Sequence, residues 1–149
     1  MNYKNPILIV SGEPNSVFLE IYFKTIKKIK FKKPLILISS SKLVKLQMKK
    51  LNFNYKINIL NKDEIFIKNL NNNQINLIDI NYNTSKPFQK ISTNANKFIS
   101  ECFNTAFEII KKNKLKNFIN GPINKKTFLN KRYPGITEYI SNKFKIKKK

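Results

Sequence analysis

Three short, uninterrupted apolar runs, at residues 7–10, 34–38 and 118–119, are separated by longer segments whose apolar residues recur every three or four positions. This alternation constrains the fold more than any other feature. An apolar run without polar alternation suits a strand covered on both faces. Strands that alternate with amphipathic helices require a mainly parallel sheet with helices on both faces, an α/β fold. Crossovers between such strands are right-handed.

The segments between the runs sharpen the expectation. Asn15 or Ser16 should cap a first helix reaching about residue 29, with Phe18, Ile21, Tyr22, Thr25 and Ile29 on one face. Its basic end, Lys27, Lys28 and Lys30, complements the negative end of the helix dipole. The serines at 39–41 should cap a second helix to about residue 51. Residues 55–60 and 75–80 read as strands, with residues 69–73 as an asparagine-rich turn between them. Residues 82–90, which include Pro87, read as an irregular connection without function. Ser92 or Thr93 should then cap the longest helix, residues 94–113. Its stripe of Ala95, Phe98, Ile99, Cys102, Phe103, Ala106, Phe107 and Ile110 is expected to form core or a subunit contact.

A chain of 149 residues is about one domain. Residues 1–141 read as a single α/β region and residues 142–149 as a basic tail, the run of lysines there resembling translated adenine-rich sequence. The net charge of +22 would ordinarily point to a polyanion. Yet of 30 basic residues only Arg132 is arginine, and abundant Asn, Ile, Lys and Phe are the residues of A- and T-rich codons. Without arginine forks, sequence-specific reading of nucleic acid is not expected. The lone Cys102 forms no internal disulfide and sits in an apolar helical stripe, so it reads as a buried structural thiol. No apolar run has the length of a membrane span and no signal peptide is evident, which suggests a cytoplasmic protein.

Polar residues concentrate where strands end. Residues 116–139 read as a buried strand that stops at Gly121-Pro122, then a short helix and a second tight turn at Pro134-Gly135. Asn120, Asn124, Lys125, Thr137 and Glu138 would gather there, where an open α/β sheet holds ligands. An ordinary strand-turn-helix connection with solvated lysines fits the same spacing.

The segment GPINK, Gly121 to Lys125, followed by PGITEY from Pro134 to Tyr139, resembles the G-P-x-x-K and P-G-H-T-E signatures of the 4-hydroxythreonine-4-phosphate dehydrogenase family. The opening segment ILIVSGEPNSVFLE is similar to that family's first strand and its G-[DE]-P-A-G-I-G-P-E turn, with Gly12, Glu13, Pro14 and Glu20 in register. The resemblance implies the N-terminal half of an isocitrate and isopropylmalate dehydrogenase-like fold, in a family about twice this long. It also implies NAD-dependent oxidation and decarboxylation of 4-hydroxythreonine 4-phosphate in pyridoxal 5'-phosphate biosynthesis, in a homodimer. The family's divalent metal is held by three histidines, partly across the dimer.

On that resemblance Thr137 is the substrate-binding residue, and Ile136 occupies the family's histidine position. Gly12, Glu13, Pro14, Gly121, Pro122, Asn124, Lys125 and Glu138 are the other pocket candidates. No catalytic or metal-ligating residue is expected, because the chain contains no histidine. Asn15 to Leu19 replaces A-G-I-G-P, so the glycines that let an anion approach the backbone are gone. NAD and metal are therefore expected to bind poorly to the chain alone. The expected protein is a fragment, cut by a frameshift or a split gene, or a divergent form, active only if its missing half is supplied; its expected partner is a second copy in a homodimer or that missing C-terminal half. Reading frames beyond the stop codon would test the frameshift. A non-enzymatic remnant and a basic polyanion-binding module are the alternatives.

Overall fold

Branched and leucine side chains suit a pleated surface, and they make β1 (Ile7–Val10) and β2 (Leu35–Ser39) the buried centre of the protein. With β3 (Ile57–Ile59), β4 (Ile75–Asp79) and β5 (Phe118–Asn120) they form a five-stranded sheet of order β3-β4-β2-β1-β5. Every neighbouring pair is parallel. The computed structural model describes residues 5–63, 65 and 70–144.

The pleat sends alternate side chains to opposite faces. Leu8, Val10, Ile36, Ile38 and Ile78 enter one core, and Ile9, Leu35, Leu37, Ile75 and Leu77 the other. Helices α1 (Phe18–Lys28) and α2 (Ser41–Lys50) cover the second face through Leu19, Tyr22, Phe23, Leu43, Val44 and Met48. Helix α3 (Asn96–Asn113) covers the first, its buried stripe including Phe98, Ile99, Cys102, Phe103 and Phe107. A single π-helical turn, Lys125–Leu129, and helix α4 (Ile136–Lys143) join that side through Leu129 and Tyr139. The α/β class, the parallel sheet and helices on both faces agree with the sequence reading.

Several local expectations are corrected. Helix α1 starts at Phe18 with Val17 at the N-cap position, and Ser16, one residue earlier, accepts from Phe18 N through its hydroxyl. It buries Leu19, Tyr22 and Phe23, whereas Ile21 and Ile29 are 55% and 52% exposed. Two stripes of helical spacing share Tyr22, and the one holding Phe23 wins because Phe23 packs 5.4 Å from the Phe53 ring and 6.4 Å from that of Tyr55. Helix α3 begins at Asn96 after one 3₁₀ turn, Thr93–Ala95, so neither Ser92 nor Thr93 caps it. Its fully buried residue near the end is Ile109, with Ile110 partly buried.

Strand β5 is an edge strand rather than a fully buried one, with Ile119 48% exposed. The chain turns at residues 130–135, as expected at Pro134-Gly135, and passes directly into α4. Helix α4 runs two residues past the expected start of the tail, and residues 145–149 of that tail lie outside the described residues. Asn69 also lies outside them. Asn72, in the same expected turn, ties the start of β2 to the approach to β4. Its Oδ1 accepts from Leu35 N (2.8 Å) and its Nδ2 donates to Lys33 O (2.9 Å) and Phe31 O (3.3 Å).

Cys102 is fully buried, and burial pushes its thiol up from the ordinary value, as befits a structural residue. Among the described residues no helix is long and apolar enough to cross a membrane.

Phe103 is the hub that fastens the C-terminal segment to the sheet. Its ring lies 5.8 Å from Phe107, 6.3 Å from Phe118 of β5, 6.1 Å from Phe128 of the π turn and 5.5 Å from Tyr139 of α4. Removing a fully buried phenyl ring costs about 3–5 kcal/mol. Phe103→Ala is expected to lower stability by that amount in urea titration and to speed amide exchange from Phe118 to Phe144 before β2. Uniform exchange across both regions would contradict this role.

Candidate functional site

Two strand ends meet at the carboxyl edge of the sheet. After β1 the chain passes Ser11 into Gly12, whose φ of +70° lies in the left-handed region that glycine tolerates. After β5 it enters Gly121 and Pro122. Gly121 N donates to Val10 O at 2.7 Å, and Glu13 N donates to Pro122 O at 2.8 Å. A Cβ on Gly12 would stand 2.3 Å from Pro122 O, and one on Gly121 would stand 2.2 Å from Ser11 O. The two turns therefore pack backbone against backbone.

This contact falls at a topological switch point. The helix after β1 goes to one face of the sheet, while the π turn and α4 after β5 go to the other. In open α/β sheets ligands bind where neighbouring strands part in this way.

A buried carboxylate sits in the first turn. Glu13 is 3% exposed, and its Oε1 accepts from Asn15 N (3.2 Å) and Asn15 Nδ2 (3.4 Å). Burial pushes its carboxyl above the usual carboxylate value, partly offset by the bonds from Asn15. Glu13 Oε2, Ser11 Oγ, Ser39 Oγ and Gln47 Oε1 are buried without hydrogen-bond partners. Ser11 and Ser39 stand one step beyond the paired Val10 and Ile38, at the ends of β1 and β2.

The loop read as functionless secures this turn. Gln47 Nε2, buried on α2, donates to Pro14 O (2.9 Å) and to Pro87 O (2.8 Å). Gln89 N donates to Asn15 Oδ1 (2.9 Å), and Gln89 Nε2 to Thr84 Oγ1 (3.0 Å). A glutamine between Leu43, Val44 and Met48 on an apolar helix face was the available signal in the sequence.

The remaining candidates lie elsewhere or are already engaged. Asn120 Nδ2 donates to Gly121 O (3.0 Å). Asn124 Oδ1 caps the π turn, accepting from Lys126 N and Thr127 N, both at 3.1 Å. Lys125 and Thr137 are exposed, and neither side chain makes a hydrogen bond. Ile136 packs on the α3-side core, and Glu138 lies back over Gly135, where a Cβ would come within 3.2 Å of its Oε2. The structure thus unites Gly12, Glu13 and Pro14 with Gly121 and Pro122. It places Asn124 and Lys125 at the π turn, and Ile136, Thr137 and Glu138 at the start of α4.

The donor set does not fit a divalent metal: among the described residues no three Cys, Asp or Glu side chains form a group that could hold one, and histidine is absent from the sequence. Nor does the first turn fit a pyrophosphate. Three of its amides are spent internally, Asn15 N on Glu13 Oε1, Ser16 N on Glu13 O and Phe18 N on Ser16 Oγ (3.3 Å). The buried Glu13 would also oppose an anion.

Comparison with known proteins bears on this geometry. The model of the family described as pyridoxal phosphate biosynthetic protein PdxA matches residues 30–149, a stretch that holds Gly121 to Lys125 and Pro134 to Tyr139. A 4-hydroxythreonine-4-phosphate dehydrogenase from Burkholderia phymatum shares the fold at a TM-score of 0.81 and 20% identity, covering 99% of this chain and 46% of that one. One from Klebsiella pneumoniae does so at 0.76 and 18% identity, covering 93% and 44%. The chain therefore spans less than half the length of these structures. No curated protein matches it significantly.

Two outcomes test the junction. Gly121→Ala is expected to lose about 3 kcal/mol in denaturant titration, because its Cβ would collide with backbone that cannot yield; a loss as small as that of a surface Gly→Ala would refute the packing. Glu13 carries a raised carboxyl value, so the folded state holds the proton more tightly than the unfolded chain. Its contribution is full below about pH 4 and is lost as pH rises through the folded value. Glu13→Gln should remove this slope and be the more stable protein at pH 7. An identical pH dependence in both proteins would show that Glu13 is not the group responsible.

Proposed function

The chain belongs to the pyridoxal phosphate biosynthetic protein PdxA family, and from that premise we propose that it is the N-terminal half, or a divergent form, of an NAD-dependent 4-hydroxythreonine-4-phosphate dehydrogenase. On this reading the substrate alcohol is oxidised and the product decarboxylated only when the other half of the fold is present as a separate chain. A cytoplasmic site of action goes with it. The observation that supports it best is the junction of the two motif-bearing turns at the switch point between β1 and β5.

The roles open to this chain are those of binding and positioning. The Thr137 hydroxyl is free to donate to a phosphate or carboxylate oxygen, and the Lys125 ammonium can attract the same group. Ile136 packs into the α3-side core, so it supplies neither a hydrogen bond nor a titrating group to substrate. Because the donors present fit neither metal nor pyrophosphate, no step of the reaction is assigned to this half alone.

The same two misfits support a second reading, a non-enzymatic remnant that keeps the family fold. Coexpression distinguishes them. The chain alone is expected to reduce no NAD with 4-hydroxythreonine 4-phosphate, and coexpression with the C-terminal half of a family dehydrogenase is expected to restore reduction. Copurification of the two halves without turnover would favour the remnant. Turnover by the chain alone would overturn the claim that a second half is needed.

A further inference from the structure

Positive charge is distributed unevenly over the two faces. Between Phe18 and Lys56 the chain carries eleven lysines and one carboxylate, Glu20, which is paired with Lys24. All eleven lysines are exposed. On the α3 side three lysines are paired with carboxylates, Lys62 with Glu108 (2.9 Å), Lys112 with Asp63 (2.7 Å) and Lys97 with Glu101 (3.9 Å), while Lys111, Lys114 and Lys116 have no ion-pair partner among the described residues.

Within the α1/α2 face the charge is concentrated at one end. Both helices run against the parallel strands, so both finish at the amino edge of the sheet, away from the two turns. Helix α1 ends on Lys27 and Lys28, and α2 on Lys49 and Lys50. The loops leading into β2 and β3 add Lys30, Lys32, Lys33 and Lys56 at the same edge. Among the described residues Asp79 is a further carboxylate bonded to α2, but it accepts from Ser41 N at the opposite end of that helix.

Amid these lysines lies a pair of half-buried rings. Phe53 and Tyr55 stack with centroids 6.2 Å apart and planes 17° from parallel, and Lys27 Nζ sits 5.9 Å from the centroid of Phe53. Clustered cations beside aromatic rings are the means by which proteins hold single-stranded nucleic acid without reading its sequence.

We infer that the amino edge of the α1/α2 face binds single-stranded RNA independently of sequence, a second activity that does not rest on the dehydrogenase reading. An anionic membrane fits less well, because the exposed apolar residues Val17 and Ile21 lie at the far end of α1, leaving Ile29 alone among the lysines. Lysines hold phosphates as point charges and lack the planar fork that reads bases, which makes the binding electrostatic and strongly dependent on salt.

Anisotropy of a labelled single-stranded oligouridylate, titrated with the full chain at several salt concentrations, tests the inference. Replacing Lys27, Lys28, Lys49 and Lys50 by Gln should flatten the slope of log affinity against log salt by about 3, at roughly 0.7 per phosphate contact. The double variants Lys27→Gln with Lys28→Gln, and Lys49→Gln with Lys50→Gln, should each flatten it by about half as much, and they serve if the fourfold variant does not fold. Replacing Lys97, Lys111, Lys112 and Lys114 by Gln removes the same charge from the α3 side and should leave the slope near its original value. Equal flattening by both fourfold sets, or tighter binding to anionic phospholipid vesicles than to the oligonucleotide, would overturn the assignment.

Discussion

The meeting of Gly12 with Gly121 is the constraint from which the arrangement of this molecule follows. Two backbones approach so closely that neither position has room for a Cβ, and the hydrogen bonds from Gly121 N to Val10 O and from Glu13 N to Pro122 O close the gap. Among the described residues strand β5 pairs with β1 alone, so this contact extends the β1–β5 pairing into the turns. The chain has three glycines, and two of them are used here. In a sequence drawn so strongly toward lysine, asparagine and isoleucine, glycine persists where nothing else fits.

The parts of the fold that are local in origin were legible in the sequence. Continuous apolar runs announced β1 and β2, and Ser40 announced the start of α2 by accepting from Leu43 N. The choice between overlapping stripes was not legible. In α1 both stripes have helical spacing, and the decision belongs to Phe53 and Tyr55, about thirty residues away, which draw Phe23 inward and leave Ile21 and Ile29 outside. Likewise, an apolar pair such as Phe118 and Ile119 cannot report whether its strand is central or at an edge, because edge position depends on the order of the whole sheet.

The site was legible to a similar depth. Glycine and proline marked the two turns, and the structure joins them. What could not be read was the expenditure of polar groups. Asn124, a candidate ligand by position, caps the π turn, and Asn15 divides its side chain between Glu13 and the amide of Gln89. Such short-range competition for donors is settled by turn geometry that composition does not carry. The clamp of Gln47 on Pro14 and Pro87 joins three segments distant in sequence, and only the polar residue on an apolar helix face hinted at it.

Fold and expected chemistry rest on different residues in this chain, for a physical reason. The fold rests on side chains that a drift toward isoleucine, phenylalanine and lysine supplies freely: branched strands, the Phe103 ring cluster and exposed helix faces. The expected chemistry rests on histidine and on glycine-rich turns, which the same drift removes. Where the resembling motif has small residues this chain has Asn15 to Leu19, and Glu13 and Ser16 accept from three amides of the turn. Those three amides are unavailable to an anion, since an amide already bonded to a neighbouring oxygen has no proton left to offer a phosphate. One set of hydrogen bonds therefore holds the turn together and occupies amides that could otherwise meet an anion.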